Sequence, residues 1–483
     1  MKNSIFSNTL MKTKKLYINT IGCQMNVYDS EQITQRLATI GYEPVSKVES
    51  ADLVIVNTCT IRAKAEQKAM SFLGRVVKLK RQHPNLLVGV CGCVAQQEGR
   101  NLLTRMPSIN FVLGPNAITN IAGAVTKLEK YGCQIVDVGL APEALTDQNV
   151  RVPETDLGVS RFVTIMQGCD NYCTYCVVPY VRGREVSRSP DEIINEISSL
   201  VAKGVREVTL LGQNVNSYGN KQNFGNFAAL LERIDQIDNL LRIRFTTSHP
   251  KDLSNDLILA FKSLAKLCHH IHLPVQSGSN QVLKRMNRGY TREVYLKLIA
   301  KLRQACPDIA ITSDIIVGFP GETKQDFENT LDLIKTAQFD NLFAFAYSDR
   351  PNTPSGRFHN KVSPVQKNER LQAILDIQSK ITQRIHRRLN GTIQSVLVEG
   401  SSKKHVLKSP DVSMRQMQWT GRTGGNKIVN FSDGNGPDEK SNIRVGTIQA
   451  VRIERALAHS LKGRLPTGYS SQSPAKGSQS YAA

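Results

Sequence analysis

The sequence lacks what would tie it to a membrane or an export route. No apolar run reaches the roughly 18–20 residues that a bilayer span requires. The lysine-bearing N-terminus has no apolar h-region and no small-residue cleavage site, so a cytoplasmic protein with no membrane partner is expected. Aromatics are sparse, at 6% of the chain with a single Trp. Acidic residues fall short as well: 41 Asp and Glu face 62 Lys and Arg, a formal charge of +21. That excess attracts polyanions at long range, and without a basic amphipathic anchor a nucleic acid is the default partner. Wholesale disorder is excluded by a content of 40% hydrophobic and 21% charged residues. At about 100–200 residues per domain, 483 residues make roughly two to four domains. Ten cysteines remain to be explained. A chain this long in a reducing cytosol needs no disulfide staples, so they read as metal ligands or redox thiols.

The expected fold class is α/β. Residues 14–140 alternate apolar strands (LYINT, DLVIVNT at 52–58, LLVGV at 86–90) with helices from Ser30 to about Ile40 and Ala63 to Gln82. Continuous apolar strands between amphipathic helices predict a parallel sheet covered on both faces. Residues 141–160, with Pro142 and Pro153, read as a linker. From 161 to 388 the alternation restarts, with strands at 162–168, 208–212, 242–247, 271–275, 311–318 and 343–348. Helices are expected at 190–203, 226–237, 255–265, 292–305 and 324–337. Six such repeats predict a partial (β/α)6 barrel whose chemistry sits at the C-terminal strand ends. Residues 389–461 carry short β-prone runs suited to a small antiparallel barrel, and 462–483 read as a disordered tail. Between Lys361 and Lys427, 13 Lys and Arg stand against 4 Asp and Glu. That stretch is either a grip on phosphates or a solvated face. Trp419 and Phe431 stack on bases or fill the barrel core, the latter favoured for Phe431.

The strongest motif is Gly168-Cys169-x3-Cys173-x2-Cys176, directly after the first strand of the second repeat series. Three thiolates on one short loop hold three irons of a cubane and leave the fourth open to a ligand. Structural zinc would want a fourth Cys or His nearby, and none follows. Tyr172 and Tyr175 shield such a cluster or simply pack the loop. At later strand ends, Gln213, Asn214, Gln276 and Ser277 either contact a cofactor or satisfy loop backbone. His249 and His272 read as satisfied loop histidines. A second set, Cys23, Cys59 and Cys93, lies just past the ends of three predicted parallel strands and converges on one sheet edge. It predicts a second three-cysteine cluster. Cys91 reads as a buried strand residue, and Cys133, Cys268 and Cys306 as inert.

The CxxxCxxC run resembles the radical S-adenosylmethionine (SAM) superfamily, and the two sets together resemble its methylthiotransferase family. The resemblance runs from about Lys15 to Leu461 through GCQMN at 22–26, NTC at 57–59, GCVAQ at 92–96, GCDNYCTYCVVPYVRG at 168–183, GQNVNSY at 212–218, LPVQSGS at 273–279, LKRMNRGYTRE at 283–293 and DIIVGFPGET at 314–323. SDRPNTP at 348–354 departs from the SPRPGTP more common there. The resemblance implies a SAM-binding [4Fe-4S] cluster on Cys169, Cys173 and Cys176, and an auxiliary [4Fe-4S] cluster on Cys23, Cys59 and Cys93. It also implies a C-terminal TRAM module for RNA and a flavodoxin or ferredoxin-type reductant; a monomer is expected, though no feature of the sequence fixes the oligomeric state. The motifs at 177–183 and 212–218 look most like the branch that inserts a methylthio group at C2 of an isopentenylated adenosine beside the tRNA anticodon. Alternatives are methylthiolation of threonylcarbamoyl-adenosine in tRNA or of a ribosomal-protein aspartate. A non-catalytic iron–sulfur RNA-binding protein is the alternative of another class.

Overall fold

A computed structural model describes residues 13–60, 63–140, 157–402, 418–432 and 443–466, with side chains from residue 66 after the first break. Most of the expected linker and all of the tail beyond 466 lie outside the described residues. The chain divides into two compact units, Met1–Gln378 and Ser379–Ala483.

The first unit opens with six parallel strands: β1 (Lys14–Ile21), β2 (Tyr42–Pro44), β3 (Leu53–Thr58), β4 (Leu87–Gly92), β5 (Phe111–Leu113) and β6 (Ile135–Asp137). Their spatial order is 2-1-3-4-5-6. The chain steps outward from β1 to β2 and then returns to β1's other side, so the topological switch falls between β1 and β3. Every residue of β3 is buried. Leu53 and Ile55 join α1 (Gln24–Ala38) and α5 (Ile121–Tyr131) on one face, whereas Val54 and Val56 join α2 (Ala63–Gln82) and α4 (Arg100–Arg105) on the other. Burial on both faces is why this strand reads as an unbroken apolar run. The helix α3 (Cys93–Glu98) starts directly at the end of β4.

A second parallel series follows. Its strands are β7 (Ser160–Thr164), β10 (Glu207–Leu211), β11 (Arg242–Phe245), β12 (His270–His272), β13 (Ala310–Val317) and β14 (Asn341–Ala346). They form two three-stranded sheets, β11-β10-β7 and β12-β13-β14, joined by the parallel bridge Ile243–Leu267. That arrangement is the open six-stranded barrel. The run expected as one strand at 162–168 is instead broken at Ile165, and β8 (Met166–Gln167) pairs antiparallel with β9 (Val186–Ser187). Between the strands lie α6 (Val178–Arg182), α7 (Pro190–Ala202), α8 (Phe227–Asp235), α9 (Asn255–Ser263), α10 (Asn280–Arg285), α11 (Arg292–Ala305) and α12 (Lys324–Ala337). Asn226, Ser254, Ser279, Thr291 and Thr323 each accept a first-turn backbone N–H. Such caps contribute about 1 kcal/mol apiece and fix where each loop hands over to its helix.

The helix α13 (Pro364–Arg387) contains the division between the units. In the second unit, β15 (Ile393–Ser401), β16 (Gln418–Thr423), β17 (Ile428–Ser432), β18 (Ile448–Ala456) and β19 (Leu461–Arg464) close a barrel in the order 15-16-17-19-18. Most pairs are antiparallel, but β17 and β19 run parallel. Phe431 lies in the barrel core with Val396, Val398 and Val451, and Trp419 packs at its margin. Among the described residues no helix is long and apolar enough to cross a membrane.

Candidate cluster sites

Cys23 follows β1, Cys59 follows β3 and Cys93 opens α3 after β4. The three strands are neighbours in parallel register, so the three thiols meet at the sheet's C-terminal edge, with Cys23 and Cys59 flanking the switch point. Two buried asparagines lock the loops. Asn26 Nδ2 donates to Asn57 Oδ1 at 3.1 Å, and Asn57 Nδ2 returns to the Asn26 carbonyl at 2.9 Å. Asn26 Oδ1 also accepts from the Cys23 backbone and thiol, each at 3.3 Å. Two glycines allow the close approach. A Cβ at Gly22 would stand 2.8 Å from Cys59 Cβ, and Gly92 has φ +90° with Asn57 Oδ1 only 2.5 Å from where its Cβ would be. Cys59 lies within hydrogen-bond reach of both Cys23 and Cys93. Its thiol proton, shared toward them, lowers Cys23 to about 6 and Cys93 to about 7, with the nearby Arg182 guanidinium acting in the same direction. Cys59 itself is pushed up by those contacts and by burial.

Arg182 comes from α6, six residues beyond Cys176, and donates to Asp29 of α1 at 2.7 Å. It is 4% exposed, and its charge acts on both Cys23 and Cys93. The guanidinium therefore reaches the first thiol set from the loop that carries the second.

That second loop leaves β8 through a narrow neck. Gly168 has φ +78°, and any Cβ there would collide with the Arg184 carbonyl. Its N–H donates to Gln213 Oε1 at 2.5 Å, and Cys169 N–H donates to the Gly183 carbonyl at 3.3 Å. The far side is pinned by Asn287, whose Nδ2 donates to the Asn171 and Tyr172 carbonyls at 3.2 and 3.1 Å. Thr174 donates to the Met286 carbonyl at 3.1 Å. Burial pushes Cys169 up and Cys176 up to about 12. These thiols stay protonated at neutral pH until a metal displaces the protons. Tyr172 is 42% exposed, whereas Tyr175 packs against Phe319 and Tyr347.

Beside the loop, at the ends of β10 and β11, buried polar atoms stand without partners among the described residues: Asn214 Oδ1, Asn216 Oδ1, Ser248 Oγ and His249 Nε2. Unpaired buried polar atoms are costly and mark where a polar ligand would sit. Thr247 and Gln276 hold φ of +69° and +75°, strain of the sort that collects at such sites. Three thiols next to unmet acceptors fit a cluster with a polar cofactor on its open iron. Of the four amide and hydroxyl residues expected there, Asn214 keeps a free acceptor while its Nδ2 donates to Asp252 at 2.7 Å. Gln213 is committed through Oε1 to Gly168. Gln276 is buried and bridges backbone to β13, and Ser277 Oγ pairs with Thr330 Oγ1 at 3.3 Å. His249 is satisfied at Nδ1, which accepts from Lys251 N–H, but not at Nε2. His272 lies between Thr312 and Asp314.

Sequence reasoning gave no role to Asp29, Arg182, Asn26 or Asn57, although three of them stand inside the GCQMN, NTC and VVPYVRG motifs. It also left Cys306 without company. In the fold Cys306 lies 3.3 Å from Asp308, which binds His269 at 2.8 Å. The three could hold a metal ion. His269 and Asp308 lie before β12 and β13, at the barrel end opposite the thiols.

Comparison with known proteins agrees with this geometry. The Radical SAM superfamily model matches residues 163–334, the TRAM domain model residues 387–465, and the model described as Uncharacterized protein family UPF0004 residues 15–114. A radical S-adenosylmethionine methyltransferase from Kitasatospora setae, solved with cobalamin and a [4Fe-4S] cluster, shares the fold. Its TM-score is 0.56 at 16% identity, over 71% of this chain and 74% of that one. The central barrel is thus a radical SAM core, the class that works with S-adenosylmethionine and a [4Fe-4S] cluster. Relatives named tRNA-2-methylthio-N(6)-dimethylallyladenosine synthase include one from Desulfosudis oleivorans, 52% identical over 93% of this chain and 96% of its own. Another, from Syntrophus aciditrophicus, is 49% identical over 94% of each. The chain belongs to their family, the tRNA-2-methylthio-N(6)-dimethylallyladenosine synthases.

Proposed function

We propose that this protein inserts a methylthio group at C2 of an N6-isopentenylated adenosine beside the anticodon of tRNA. Cys169, Cys173 and Cys176 hold the SAM-binding [4Fe-4S] cluster, and Cys23, Cys59 and Cys93 a second [4Fe-4S] cluster. When bound, these groups and SAM supply the radical hydrogen abstraction and the methylthio sulfur that no side chain of this chain provides. The observation that carries the reading is Arg182, which touches the first thiol set from the loop of the second. That side chain ties the loop of one set to the thiols of the other, the arrangement that two clusters serving one substrate need.

The remaining residues bind and orient. Asn214, Asn216, Ser248 and His249 offer unmet polar atoms to SAM beside the cluster loop, with Gln213, Gln276 and Ser277 shaping the same strand ends. The target base leaves its stack to reach the strand ends, and single-stranded loops are where RNA bases are read. Residues 14–140 serve the second cluster, 161–388 the radical chemistry and the barrel that begins at 389 the RNA; that barrel runs on through β19 to Arg464, past the end expected at 461, because Lys462–Arg464 pair with β17 and β18. The protein works in the cytoplasm as a monomer, with a flavodoxin or ferredoxin-type protein as electron donor. The excess of basic residues grips phosphates, so tRNA affinity should fall steeply with salt.

The test is anaerobic reconstitution with iron and sulfide, then dithionite, SAM and tRNA with or without the isopentenyl group, and nucleosides read by mass spectrometry. A methylthio adduct on the isopentenylated adenosine alone supports the reading. Formation of 5′-deoxyadenosine with no adduct on either tRNA refutes the substrate while leaving the radical chemistry intact.

A further inference from the structure

Arg288 follows α10 and is 4% exposed. Its Nη1 lies 3.3 Å from Cys173 Sγ and 3.3 Å from Tyr175 Oη, its Nη2 donates to the Pro274 carbonyl at 2.8 Å, and its Nε donates to Tyr290 Oη at 2.9 Å. Tyr290 Oη in turn donates to the Val275 carbonyl at 2.9 Å. The guanidinium is thus held rigidly against one thiol of the cluster loop by the strand end after β12.

Its lack of a counter-ion sets it apart from other buried arginines. Elsewhere in the fold Arg182, Arg188 and Arg244 are similarly buried, and each has a carboxylate at 2.7–2.8 Å: Asp29, Glu196 and Glu207. Among the described residues no carboxylate pairs with Arg288. A buried cation without a counter-ion is strongly unfavourable. A cubane on three thiolates carries net negative charge, and gains one more when an electron enters. It is the anion Arg288 lacks.

We propose that Arg288 is a positioning residue that raises the reduction potential of the SAM-binding cluster, by hydrogen bonding to Cys173 and by placing an unneutralised positive charge beside it. Hydrogen bonds to the sulfurs and local net charge are two of the levers that set such potentials, and a water-poor setting strengthens both. The added electron, supplied by a low-potential one-electron reductant, is stabilised more than the oxidised state. The inference rests on the reading that Cys173 is a ligand of that cluster.

The experiment is a dithionite redox titration of the reconstituted holoenzyme. The electron paramagnetic resonance signal that shifts on SAM addition is followed in the wild type, R288M, R288Q and C173A. R288M and R288Q should retain this signal, with the one-electron reduction equilibrium at least tenfold less favourable, which is 59 mV more negative. An unchanged potential in whichever of the two retains the cluster overturns the proposal. So does loss of the cluster from both, because Arg288 would then build the site rather than tune it. C173A separates the two claims. If it keeps the SAM-sensitive signal, the ligand reading falls and this proposal with it; if it loses the signal while R288M and R288Q titrate like the wild type, only the role of Arg288 falls.

Discussion

Replacing Asp29 by alanine should expose how much the first unit depends on one ion pair. Asp29 and Arg182 have side-chain exposures of 11% and 3%, and their contact is 2.7 Å long. Burial holds the Asp29 carboxyl above its ordinary range even against the guanidinium, so the pair is not a large net source of stability. Losing one partner is a different matter, because it strands a buried cation, and such changes cost about 3–5 kcal/mol. At about 2.1 cal/mol/K per residue, the unit Met1–Gln378 has an unfolding entropy of about 0.8 kcal/mol/K. The expected drop in Tm is therefore ~4–6 °C, read by calorimetry on iron-free protein. In reconstituted protein the drop should shrink, because cluster thiolates beside Arg182 replace the lost carboxylate. A drop below 1 °C without iron, or equal drops with and without it, would refute this reasoning.

Further outcomes follow from other residues. His249 is pushed down to about 2 by burial and by the charges of Arg288 and Lys251. Below 6.5 the unfolded chain therefore binds a proton that the folded one refuses, and stability should fall by up to about 1.4 kcal/mol per pH unit as pH drops. In H249N that slope should be absent from urea titrations between pH 6 and 4.5. G92A must place a Cβ at φ +90° against Asn57 Oδ1 and the Thr58 carbonyl. It should lose at least about 1–3 kcal/mol, seen as a lower melting temperature. Cys91 is fully buried in the sheet core beside Leu53 and Ile55, so C91S should lose about 1–3 kcal/mol yet keep its iron, while C93S loses iron. His269 is raised by its bond to Asp308, so the pair contributes fully below pH 6.5 and fades as pH rises through the folded value. Asp308 is exposed and His269 half-exposed, so solvent screens the pair, and H269A should cost only about 0.2–1 kcal/mol at pH 5.5 and nothing at pH 9.

Much of this fold can be read from hydropathy. The helix α2 spans Ala63–Gln82 as its period predicts, and the barrel strands lie within a few residues of their expected positions. The start of α1 at Gln24 rather than Ser30 was hidden, because its first turn holds a buried Asn26 where a core-facing residue would be apolar. That asparagine serves the cysteine loop. The break at Ile165 was hidden too, since β8 continues the apolar run of β7 but pairs in another sheet. Cysteine spacing made both thiol sets legible, each tied to a strand end. Asp29 and Arg182 are 153 positions apart, and Arg288 and Cys173 are 115 apart. No period or local spacing connects residues at such distances; only the closed fold does.

The placement of Arg182 also bears on how the protein is assembled. One guanidinium lies against the first thiol set and is carried on the backbone that leaves the second; if both sets hold clusters as proposed, filling either should alter the charge and order felt at the other. Linkage then imposes a symmetry on maturation. Whatever factor prior filling of the barrel site adds to iron affinity at the sheet edge, prior filling of the sheet edge adds the same factor at the barrel.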